Sequence, residues 1–231
     1  MKCIIYTPDE AFGKLDSIDG SVIISGVLEE ASSADKAFFL ELFNVNENEL
    51  TETFSRYFHW FNIIHELCHI IAIKNGVICD DLLATEWMVN RIASAFWRSF
   101  GNHDVYKKQL SAVKKAKDNM KNPIPDGISF EDFYSRYSEM PDETMSLYAY
   151  FQFTLVERAL MLNESIYDVL DEYGLNVLHN DIQETLSQCN QDSDPQQIVN
   201  SACEVFRKMG LNIPSVAVIY CNNPNVQCAP K

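Results

Sequence analysis

Residues 53–75, TFSRYFHWFNIIHELCHIIAIKN, contain neither proline nor glycine, and Gly76 follows them. Apolar side chains occupy most of the circumference of such a segment when it is wound as a helix. That pattern predicts a helix buried on nearly every side, closed by Gly76 as its C-cap. The rest of the chain must wrap around it. With 231 residues, 47% of them hydrophobic, there is enough apolar material for one large domain or two small ones.

The flanks set the fold class. Residues 3–6 (CIIY) and 21–25 (SVIIS) are short, β-branched and bounded by turn formers, and read as strands. Residues 33–43 read as a helix with a serine cap, and the polar stretch NVNENELTE after it reads as a loop. A second helix is expected from about Asp80 to Phe100, with an acidic start and Gly101 at its end. A third, basic and amphipathic, is expected over 104–120. KNPIPDG (121–127) has two prolines and a glycine in seven residues and is the best boundary. Beyond it, helical patterns cover 129–138, 142–163, 165–173, 178–188 and 195–209, and SVAVIYC (215–221) reads as a strand. The expected class is α+β and mainly helical. A small N-terminal sheet packs on the long helix within a unit spanning 1–122. An acidic, mainly helical region spans 123–231.

Charge narrows the partners. The chain carries 18 basic and 33 acidic residues, for a net −15. Residues 1–122 hold 13 basic and 17 acidic side chains, whereas 123–231 hold 5 and 16. A surface with that excess repels nucleic acid and anionic membrane. A basic protein or peptide is the partner it favours. No run is long enough to span a bilayer, and the opening apolar run is too short for a signal peptide. Seven cysteines, an odd number with no CxxC pair, outline neither a disulfide framework nor a cysteine-rich zinc site. A reducing cytoplasm is the expected compartment.

Within the long helix, His65, Glu66 and His69 spell HExxH. Residues four apart on a helix share a face, so both imidazoles can reach one ion. Glu66 lies about 100° round the helix, able to reach a water beside that ion. With 5 histidines and 17 glutamates in the chain, chance supplies about 0.008 such motifs. A catalytic zinc takes three protein ligands and an open position. Glu86 lies 17 residues after His69 in the second helix, which returns antiparallel after KNGVICD. Apolar neighbours such as Leu83, Trp87 and Val89 turn it inward. Asn90 is one turn further on and can hold a ligand in place. Ala93 lets the two helices approach. Cys68, at the flank of the metal face, reads as a small buried residue rather than a spare ligand, and His59 reads as packing. A hydrolytic site also needs a donor for the oxyanion. His103, Tyr148, Tyr150, Arg158 and His179 all qualify by residue type, and the aromatic helix 145–160 can close over the metal.

HELCH followed by TEWMVNRIASAF resembles the ImmA/IrrE family of HExxH metallopeptidases. That family usually has HELGH and then a helix of the form E-x-x-A-N-x-F-A. Glu86, Asn90 and Ala93 match its pattern, and RYFHWFNII with Arg56 is similar to its lead-in. Cys68, Val89 and Ile92 depart from it. The resemblance covers about residues 50–100, more loosely 1–120, and does not reach 123–231. It implies a small sheet on the HExxH helix, a Zn2+ ion on His65, His69 and Glu86, Glu66 as general base, and a protein or peptide substrate. The family often carries or acts on a DNA-binding helix-turn-helix, and no such pattern stands here. Two other readings compete. One is a non-catalytic protein stabilised by metal and binding a basic protein partner. The other is a regulator that works by binding alone.

Overall fold

The structure is a computed structural model. It describes residues 4–6, 21–79, 81–101, 103–136, 145–180, 182 and 194–220. Two strands open it, β1 (Ile4–Tyr6) and β2 (Ser21–Ser25), followed by a 3-10 turn at Leu28–Glu30 and helix α1 (Ser33–Phe43). Then come α2 (Glu47–Phe54), a π-helical segment (Ser55–Phe61), α3 (Asn62–Lys74), α4 (Leu82–Phe100) and α5 (His103–Asn119). The second half holds α6 (Phe130–Ser135), α7 (Met145–Met161), α8 (Ile166–Glu172), α9 (Pro195–Lys208) and β3 (Val216–Tyr220). The class is mainly helical α+β, as the sequence indicates.

The sheet has the order β1-β2-β3. β1 runs antiparallel to β2 with Ile5 opposite Ile23, and β2 runs parallel to β3 with Ile23 opposite Val218. β2 is the central strand and all five of its residues are buried, as expected of a strand covered on both faces. A parallel pair needs a crossover, and here the crossover contains α1 and every later helix among the described residues. Helix α3 packs on β1 and β2, and α9 packs on β3 and α3. At the end of α3, Asn75 is tied to Asn212 by two hydrogen bonds: Asn75 Nδ2 donates to the Asn212 carbonyl (3.0 Å) and Asn212 N–H donates to Asn75 Oδ1 (2.9 Å).

Three sequence expectations change. Residues 47–52 are helical, not loop. Asn44 takes the left-handed conformation that ends α1 (φ 49°), and Asn46 then caps α2. Asn46 Oδ1 accepts from Glu49 N–H while Glu49 reaches back to Asn46 N–H, a reciprocal capping box. The helical course to residue 74 is continuous, but residues 55–61 are wound as a π-helix rather than an α-helix. It buries Tyr57, Trp60 and Phe61. Trp60 stacks on Trp97 of α4 (5.6 Å) and Tyr57 on Phe153 of α7 (4.5 Å), so the π segment sets both helices beside α3. The helix expected over 178–188 does not include 178–180 or 182, and its remainder lies outside the described residues.

Helix α3 is buried over nearly its whole surface, as its composition requires: Ile63, Ile64, Leu67, Cys68 and Ile71 have no exposed area. Each large apolar side chain so buried contributes about 1.5–3 kcal/mol. Asp81 caps α4, accepting from Ala84 N–H at 2.7 Å. Gly101 ends it, where a Cβ would lie 2.4 Å from the Trp97 carbonyl oxygen. One hydrophobic cluster runs from Ile23 to Ile213 and draws on both sides of residue 122, and a smaller one joins Phe130, Tyr134, Tyr150, Phe151 and Leu155. Among the described residues, no helix is long and apolar enough to cross a membrane.

Candidate metal centre

Ionisable side chains are rarely buried without partners, because an unpaired buried charge costs several kcal/mol. Helices α3 and α4 bury four of them side by side. His65 is 4% exposed, Glu66 9% and Glu86 8%, and His69 is partly buried. The i, i+4 spacing brings His65 Nε2 and His69 Nε2 to 3.3 Å, with the rings edge to face. Glu86 comes in from the antiparallel α4, with Oε2 3.3 Å from His65 Nε2 and Oε1 3.5 Å from His69 Nε2. Ligand atoms on a tetrahedral ion at zinc distances are about 3.3–3.4 Å apart. The two imidazole nitrogens stand at that spacing, and Glu86 spans them with one oxygen near each.

Two carboxylates compete for the third position. The ligand atoms of His65, Glu66 and His69 lie within 4.8 Å of one another, and this group can hold a metal ion. Glu86 also meets both imidazoles, with one oxygen on each, so both carboxylates stand beside the imidazole pair. Glu66 Oε1 accepts from Asn62 Nδ2 (3.3 Å), one helical turn earlier. The electrostatics of the cluster favour a cation. Two carboxylates face two imidazoles, and a divalent ion would balance the carboxylates' charge.

Each group's acidity has a physical cause. Burial alone would lower the His65 imidazolium, but the hydrogen bond and charge of Glu86 outweigh it and push it up to about 9. Burial likewise acts to raise Glu86, and the two imidazoles overcome it, holding this carboxyl well below the usual range. Glu66 goes the other way. Its burial exceeds the pull of the imidazoles and raises its proton affinity, which suits a group that must accept a proton.

The surrounding shell orients the cluster. Asn90, fully buried on α4, places Oδ1 2.9 Å from His65 Nδ1. An amide oxygen only accepts, so Nδ1 carries a ring proton, and when the imidazole is neutral Nε2 is the nitrogen left free to ligate. Asn90 Nδ2 has no partner among the described residues. Gln152 of α7 donates from Nε2 to Glu86 Oε2 at 3.0 Å, and is itself 8% exposed. Neither Gln152 nor Asn62 belongs to the HExxH or downstream-glutamate pattern of the sequence. Asn62 has the i, i+4 spacing to Glu66 that could have marked it. Gln152 is a lone amide in the aromatic run YFQF.

The remaining candidates fall elsewhere. Cys68 is buried in the core, and burial with the nearby Glu66 charge pushes its thiol well up. His59 Nε2 meets the Gly26 carbonyl at 2.9 Å. Tyr150 belongs to the smaller cluster, Arg158 pairs with Glu131, and His179 pairs with Asp171. The side chain of His103 lies outside the described residues.

Fold and site together define a mainly helical α+β protein with a buried HExxH cluster able to hold a metal ion. Comparison with family models, with curated proteins and with solved structures finds no match.

Proposed function

We propose that the protein is a zinc-dependent peptidase that hydrolyses a peptide bond in an intracellular protein, with His65, His69 and Glu86 as metal ligands and Glu66 as general base. The observation that carries this is the convergence of two imidazole nitrogens and a carboxylate at 3.3–3.5 Å, with a second, proton-avid carboxylate alongside. The HELCH and TEWMVNRIASAF patterns support a site like that of the ImmA/IrrE peptidases. Zinc suits the mixed imidazole and carboxylate set.

The ion would supply Lewis acidity, making a water acidic enough to ionise near neutral pH. Glu66 takes the proton from that water as its oxygen adds to the carbonyl carbon. Glu66 would then return the proton to the departing nitrogen as the C–N bond breaks, and the second water proton passes from the new carboxylic acid to the amine, leaving a carboxylate and an ammonium. Asn90 keeps His65 in the ligating tautomer, and Gln152 holds Glu86. The acidic 123–231 region favours a basic substrate by charge.

Glu66→Gln separates binding from chemistry. The variant is expected to keep its zinc and to lose hydrolysis of a basic peptide library by about two to four orders of magnitude. Normal turnover in that variant would rule the mechanism out.

A further inference from the structure

Strand β3 carries a hazard that its own residues do not remove. Val216–Tyr220 reads VAVIY, apolar throughout, with no charge and no proline. Among the described residues it stands at the end of the sheet order β1-β2-β3, with β2 on one side only. A bare edge of that composition invites pairing with another chain, and proteins usually blunt it with a lysine, a proline or a bulge.

The ladder fixes which groups are left over. Ser21 N–H donates to the Ser215 carbonyl (2.8 Å), and the polar groups of a strand turn to alternate sides from one residue to the next. Ser215, Ala217 and Ile219 therefore address β2, and Val216 and Val218 turn their N–H and C=O groups outward. Gln196 of α9 meets them there. Its Nε2 donates to the Val216 carbonyl (3.1 Å), and its Oε1 accepts from Val218 N–H (2.7 Å). A carbonyl and an N–H two residues apart are the pair that a neighbouring strand would bond, so one side-chain amide takes the place of a strand. Helix α9 holds it in that pose. Asp194 caps the helix and accepts from Gln196 N–H (2.9 Å), and Nε2 also donates to Asn200 Oδ1 (2.9 Å), one turn on. Both donors and the acceptor of the Gln196 amide are thus engaged.

We propose that Gln196 is an edge guard: its amide occupies the outward hydrogen bonds of β3 and keeps β3 of a second copy of this chain from adding there as a further strand. A second copy is the occupant that this edge fits. An uncharged, β-branched strand pairs antiparallel with itself about a two-fold axis, and its side chains make favourable cross-strand pairs.

The test is the mass of the full chain in solution, by size exclusion with light scattering, over a wide range of concentration. Salt at about 0.15 M screens charge beyond about 8 Å, so the net −15 does not itself hold copies apart. Gln196→Asn shortens the amide by one carbon, out of reach of β3, and adds no apolar surface. Gln196→Leu keeps the bulk and removes the hydrogen bonds, and it decides the matter if circular dichroism shows the asparagine variant to be unfolded. Gln197→Asn, at the exposed position beside it, is the control. The Gln196 variants are expected to rise toward about twice the wild-type mass as concentration increases, the stoichiometry of a two-fold pair, whereas Gln197→Asn stays with the wild type. Folded Gln196 variants that keep the wild-type mass at every concentration would overturn the proposal. So would an equal rise in Gln197→Asn, or in the wild type itself.

Discussion

His65 offers one ring nitrogen to Asn90 and the other to His69 and Glu86, so the state of a single amide decides which nitrogen has a lone pair for a metal. Replacing Asn90 with leucine keeps the volume and removes the acceptor. Zinc affinity, read by competition with a chelating dye, should fall about ten- to a hundredfold, and an unchanged affinity would show that the amide does not orient the ring. At this scale, the juxtaposition of His65, Glu66, His69, Glu86 and Asn90 is legible in the sequence, because helical spacing gives each a defined face and the antiparallel return of the second helix brings those faces together. Gln152 is not. Its contact with Glu86 spans 66 positions, and no local rule places α7 over α4.

Elements carry the site by the way they are locked together. Arg91, beside Asn90 on α4, is buried and grips two carboxylates at once. It donates to Glu164 from Nε and Nη2 and to Glu172 from Nη1 and Nη2, and Nη1 also reaches the Tyr173 hydroxyl. This clamp fixes α4 against α8 and the turn before it. The hydrogen bonds from Arg91 outweigh a slight burial and lower Glu172 from its ordinary value near 4.5. A carboxyl lowered on folding contributes stability that is present above about 4.5 and lost as pH falls through the lowered value. Thermal melts from pH 6 to pH 3 should show that loss in the wild type and a smaller one in Arg91→Met, and identical acid profiles would mean that the clamp adds nothing. Elements were legible where apolar periodicity or caps were strong, as in α1, α4 and α9. The polar composition of α2 reads as a loop, although Asn46 and Glu49 stand at capping-box spacing. The π winding of residues 55–61 has no periodic signature that distinguishes it from an α-helix in so apolar a stretch.

Across the whole molecule, the two ends of the chain meet in one sheet and the two halves meet at one cluster. β3 pairs with β2, α9 packs on α3, and α7 supplies Gln152 to Glu86. Helix α7 of the second half is therefore a wall of the candidate site rather than part of an appendage. Composition showed the charge asymmetry but could not show where that region docks, since docking depends on contacts between residues far apart in sequence. Whether a metal occupies the cluster decides the proposed function. The most direct measurement is elemental analysis of the full chain purified without chelator, beside His65→Ala and Glu86→Ala. We predict about one zinc per wild-type chain and its loss in both variants. A wild type that holds no metal even after zinc is added back would contradict the central claim.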